Sequence, residues 1–72
     1  MSKKKLSKAT AITRAINEGI AFDENLSPFQ LSISDKTYMH ELAKECGYRK
    51  SATSPYSLGS AFYVHLQKIA NK

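Results

Sequence analysis

One cysteine, Cys46, and no cluster of metal-binding side chains leave this chain without a covalent or metal staple. At 72 residues it makes one domain, which must hold together by apolar burial alone. Small chains of this kind often dimerise so that two thin cores become one, and a homodimer is expected. The lone thiol suits a reducing interior. Beside Leu42 and Ala43 it reads as a small buried apolar residue. No stretch approaches the roughly 18 apolar residues that cross a bilayer. Residues 1–6 have the basic character of a signal-peptide start, but residues 7–14 are too polar to continue one. A cytoplasmic location with no membrane partner is expected.

Charge is unevenly placed. Residues 1–17 carry Lys3, Lys4, Lys5, Lys8 and Arg14 and no acid. Residues 46–72 carry Arg49, Lys50, Lys68 and Lys72 and no acid. All six acids lie between, accompanied only by Lys36 and Lys44. The net charge of +5 attracts phosphates without constraining the fold.

Punctuation divides the chain into a flexible basic tail, residues 1–6, and one small domain, residues 7–72. In residues 7–21, Ile12, Ile16 and Ile20 recur at four-residue steps behind Ser7, predicting a helix with one apolar stripe. Residues 29–34, "FQLSIS", alternate apolar Phe29, Leu31 and Ile33 with polar partners, which predicts a half-buried strand. No second strand candidate exists to pair with it, so pairing with another copy is expected. Residues 35–46 predict a second helix, capped by Ser34 or Asp35 and stopped by Gly47. Tyr38, Met39, Leu42, Ala43 and Cys46 form its inner face. Ser54 and Pro55 predict the start of a third helix over residues 55–70, lined by Leu58, Ala61, Phe62, Leu66 and Ile69. Gly59 within it suits a close backbone approach. The expected class is mainly α: a small three-helix domain with one short strand.

Enzymatic constellations are poor. His40 and His65 are the only histidines, and no spacing fits a metal site or a glycine-rich phosphate loop. Glu41 and Glu45 read as a solvated helix face. His65 reads as a partly buried packing residue. No catalytic residue, metal, cofactor or small-molecule substrate is expected. Residues 48–56 are richer, because Arg49, Lys50, Ser51, Thr53, Ser54 and Tyr56 are all donors suited to phosphate. At the start of the expected third helix they read as a phosphate clamp. Lys3, Lys4 and Lys5 read as an arm along a phosphate backbone.

The order strand, helix, turn, helix resembles the ribbon-helix-helix family of dimeric bacterial and phage regulators. The resemblance spans residues 28–70 and rests on "FQLSIS", on "ELAKECG" with Ala43 and Gly47, and on "LGSAFYVHL" with Leu58 and Ala61. The second helix falls slightly short of the family's spacing, and the turn at 48–54 is longer. The resemblance implies two strands paired across a dimer axis in the major groove. Gln30 and Ser32 would then touch base edges. A helix-turn-helix is the alternative, with Leu42, Ala43 and Gly47 in its first helix and turn and a recognition helix beginning near Ser54.

The expected function is therefore that of a small basic DNA-binding protein, a transcriptional repressor or accessory factor of a phage, plasmid or other mobile element. The alternative is a protein-interaction module or inhibitor that binds a larger enzyme through Tyr48, Tyr56 and Tyr63. RNA binding by Tyr48 and Arg49 stacking on unpaired bases is a third option.

Overall fold

Serine side chains set where this chain begins to coil. In each case the hydroxyl oxygen accepts a backbone N–H from the turn that follows, satisfying a donor that a helix start leaves open. The structure, a computed structural model, describes residues 5–72. Ser7 accepts from Thr10 at 3.1 Å and opens α1, Lys8–Asn17. Ser27 opens a 3-10 turn, Pro28–Gln30. Ser32 accepts from Asp35 at 3.1 Å and opens α2, Ile33–Cys46. Ser57 accepts from Ser60 at 3.4 Å and opens α3, Leu58–Ala70. The described residues are mainly helical and contain no strand.

The expected strand over residues 29–34 is thus corrected. Pro28 fixes the backbone for a tight turn. Ser27 closes that turn as a capping box: Phe29 N donates to its Oγ at 3.2 Å, and its own N–H donates to Gln30 Oε1 at 2.8 Å. Ser32 then starts α2 before an extended segment can form. On a strand, Phe29, Leu31 and Ile33 would share a buried face. Here Leu31 packs against the core while Phe29 is 66% and Ile33 84% exposed. The strand-based argument for a homodimer, and the ribbon on which the family resemblance depended, go with it.

α1 is shorter than the expected helix over 7–21. Gly19, at φ 89°, turns the chain out of the helix. Ala11 and Ala15 face inward with Ile12 half-buried beside them, whereas Ile16 is 56% exposed. Ile20 does reach the core, but from the loop that follows. Leu6, assigned to the tail by the sequence, packs against the core, and its N–H donates to Glu45 O at 3.2 Å.

α3 occupies the centre. It packs most extensively on α2 and also meets α1 and the 3-10 turn. Phe62, Tyr63 and Leu66 are fully enclosed with Met39, Leu42 and Ala43 of α2. Gly59 fulfils its expected role. A Cβ there would lie 2.7 Å from Lys36 O and 3.0 Å from His40 N, so its hydrogen lets the two helix backbones meet. The polar residues Tyr63 and Gln67 of α3 and Asn71 at its C-cap, spaced four apart, hold the loop after α1. Tyr63 Oη donates to Ala21 O at 2.6 Å, Gln67 Nε2 to Leu26 O at 2.8 Å and to Asp23 O, and Asn71 Nδ2 to Phe22 O at 2.5 Å.

The expected start of α3 at Pro55 is also corrected. Ser54 Oγ accepts from Tyr56 N at 3.2 Å and closes a local turn instead. This bears on the helix-turn-helix alternative. A recognition helix offers its N-terminal residues to the groove, but Gly59, Ser60 and Ala61 at the start of α3 are buried. No helix among the described residues is long and apolar enough to cross a membrane.

Candidate nucleic-acid interface

The loop between α2 and α3 is laid over the outer edge of α3. Gly47, in the left-handed conformation at φ 70°, ends α2. Its N–H donates to Lys44 O at 3.1 Å, and that of Tyr48 to Ala43 O at 2.9 Å. This closure turns the Tyr48 ring onto α3, with its centroid 5.0 Å from Phe62 and 5.2 Å from His65. The next residues form hydroxyl-rich turns. Ser54 N donates to Ser51 O at 3.0 Å, and the Ser51 and Thr53 hydroxyls lie 2.9 Å apart.

Loop and helix edge together border an open cleft of about 210 Å³, lined by Tyr48, Lys50, Ser51, Ser54, Tyr56, Ala61, Val64, His65 and Lys68. No carboxylate lines it. Among the described residues the one ion pair is Lys44–Glu41, at 3.9 Å on the exposed face of α2. Lys50 and Lys68 therefore keep their charge free for a ligand.

Of the expected contacts, Lys50, Ser51 and Tyr56 are brought together here, with Ser54 beside them. Arg49 and Thr53 are exposed outside the cleft wall. Lys5 is exposed, its methylenes lying over Gly47. Lys3 and Lys4 lie outside the described residues. Gln30 and Ser32 sit apart from the cleft, and each is engaged in a cap: Gln30 Oε1 by Ser27 N, Ser32 Oγ by Asp35 N. With no strand to present them, their expected place on the floor of a groove is lost.

His65 and Lys68 were not legible as site residues, because each stands on the helix rather than in the basic turn. Their shared helix edge with Ala61, at spacings of four and three, was the available signal. Burial is the main cause holding the His65 imidazole below its ordinary range, with Lys8 and Lys68 adding to it. Burial also raises the Cys46 thiol, against the opposing pull of Lys8. No group of three His, Cys, Asp or Glu side chains that could hold a metal occurs among the described residues. Comparison with protein-family models, curated proteins and solved structures finds no match.

Proposed function

We propose that this chain binds nucleic acid, duplex DNA in the first place, by gripping backbone phosphates at the cleft between the 47–57 loop and α3. The observation that carries this is the cleft's chemistry: two unpaired lysines, two serine hydroxyls and three rings, with no carboxylate. Such donors hold phosphate and carry little sequence information. The basic C-terminal part of the sequence supplies both lysines, Lys50 and Lys68. This suits an accessory factor or repressor of a mobile element whose affinity comes mainly from the backbone. The test is retardation of a random duplex at two salt concentrations, because phosphate contacts release counterions and weaken steeply with salt. Affinity unchanged between the two salts would overturn the reading.

A second reading, a protein-interaction module, is favoured by a different surface. Phe29 and Ile33 are exposed, and the Phe29 ring lies 5.4 Å from that of Tyr56. Residues 26–34 carry no charge, so two copies of this cationic chain can meet there without facing like charges. Sedimentation of Ile33→Lys beside the parent tests this. A dimer lost in the variant supports the reading, and a monomeric parent overturns it.

A further inference from the structure

Phe29 is a large apolar ring that the fold leaves 66% exposed, and it stands one ring away from the cleft. Its centroid lies 5.4 Å from that of Tyr56, with the two planes tilted by 37°. Tyr56 in turn lines the cleft with Lys50, Ser51 and Ser54. The backbone that carries Phe29 is already ordered. Ser27 Oγ accepts the Phe29 N–H at 3.2 Å, the preceding Pro28 is buried, and the 3-10 turn packs against α3. An aromatic ring held on such a support loses little conformational entropy when a ligand covers it. Tyr48, the other tyrosine of the cleft, is placed differently. It is half-buried, with its ring 5.0 Å from Phe62 and 5.2 Å from His65.

Inside a duplex the bases stack on one another and offer a protein only their edges. An unpaired base has a free face, and aromatic side chains hold unpaired strands by stacking on it. That contact tolerates any base, as does a grip on phosphates.

We propose that the Phe29–Tyr56 step stacks an unpaired base whose strand is held through its phosphates in the cleft. The preferred target is then a duplex bordered by an unpaired segment, such as an overhang, a fork or a bubble. This rests on the phosphate grip for the backbone and adds a preference for unpaired structure. Residues 26–34 carry no charge, so the step meets the base as an apolar face and leaves attraction of the backbone to Lys50 and Lys68.

The experiment is retardation by the full chain, at one fixed salt concentration, of three DNAs with equal numbers of phosphates. They are a blunt duplex, a duplex with a single-stranded overhang of either polarity, and the same overhang made abasic, which keeps each phosphate and removes the bases. We expect the base-bearing overhang to bind about tenfold more tightly than the abasic one, the size of one base–aromatic stack. Phe29→Leu keeps an apolar side chain at an exposed position and removes the aromatic face. It should bring the two overhangs level while leaving the blunt duplex unchanged. Phe29→Trp should keep the preference. The chain has no tryptophan of its own, so quenching of the introduced indole by the base-bearing overhang reports the stack directly.

Equal binding of base-bearing and abasic overhangs overturns the proposal, and a blunt duplex still retarded in a salt-dependent way leaves the phosphate grip standing without it. A preference that survives Phe29→Leu but is lost in Ile33→Lys assigns the patch to a second copy of the chain and overturns the stack as well. If no DNA is retarded even at low salt, grip and stack fall together.

Discussion

Gln67 on α3 donates its side-chain amide to the carbonyl oxygen of Leu26 at 2.8 Å, across forty-one positions of sequence. The same nitrogen donates to Asp23 O. Gln67 is only 8% exposed, so its amide has little water to turn to in place of these carbonyls. A polar side chain at the centre of the fold thus ties down the loop that brings Ile20 and Phe22 into the core. Gln67→Leu keeps the approximate volume and removes both bonds. Losing such bonds costs roughly 1–3 kcal/mol, so urea denaturation should show a lower midpoint and an unfolding free energy reduced by that amount. An unchanged midpoint would mean that the loop is held by Ile20 and Phe22 alone.

Gly59→Ala should destabilise the chain, although alanine is the better helix former. The gain in helix propensity is about 1 kcal/mol. The added methyl would meet Lys36 O at 2.7 Å, which is backbone and cannot swing aside. Forcing α2 and α3 apart costs roughly 1–3 kcal/mol, as overpacking usually does. The clash should outweigh the propensity, and thermal unfolding of the single variant decides it.

Paired substitutions separate the true core from an apparent one. Phe62→Ala and Leu42→Ala remove side chains that are 0% and 1% exposed, and each should cost roughly 2–5 kcal/mol. Ile33→Ser should stay within about 0.5 kcal/mol of the parent, as exposed positions do. Were residues 29–34 a half-buried strand, Ile33 would behave like Phe62. Equal losses at the two positions in a denaturation series would restore the strand.

The contrast shows what could be read from the chain. Leu42, Ala43 and Gly47 lie in a long periodic segment with a glycine stop, where several signals agree, and α2 follows from them. "FQLSIS" is too short for alternation to outweigh local chemistry. Its Ser32, read as an outward strand residue, is a helix cap, and the preceding Ser27–Pro28 pair is another. α3 offered two serine starts, and Ser54–Pro55 carried the stronger local signal. Ser57 prevails: its Oγ accepts from Ser60 N as a helix cap, whereas Ser54 Oγ is taken up by Tyr56 N in a local turn. At the site, Lys50, Ser51 and Tyr56 were legible from the basic turn. His65 and Lys68 join them only once Tyr48 folds over Phe62, a tertiary contact with no sequence spacing to announce it.

Acid should weaken the fold through His65. Its folded midpoint lies below the ordinary value of 6.5. Above 6.5 both folded and unfolded forms are neutral, and the full stability is present. As pH falls below 6.5 the unfolded chain binds a proton that the folded chain refuses, so stability is lost down to the folded midpoint. Thermal midpoints measured from pH 7.5 to 5 should decline more in the parent than in His65→Gln. Parallel curves would assign the acid sensitivity elsewhere.

The last expectation separates residues proposed to hold phosphate from residues that hold the fold. Lys50 and Lys68 line the cleft and have no acidic partner. Replacing both with alanine should reduce the dependence of log affinity on log salt by about two, since each phosphate contact contributes nearly one unit. Specific and random duplexes should weaken alike, because in the proposed grip both lysines meet phosphates and no base. Gln30 behaves differently: its Oε1 closes the Ser27 turn at 2.8 Å on an exposed segment. Gln30→Ala should therefore leave both the salt slope and the preference among duplexes unchanged, with a small loss of stability of about 1 kcal/mol from the missing cap bond. Retardation assays of the two variants over a salt series give both readouts. A Gln30→Ala protein that bound random duplex normally but lost its preferred site would return base reading to residues 28–32 and confine the cleft to a supporting role.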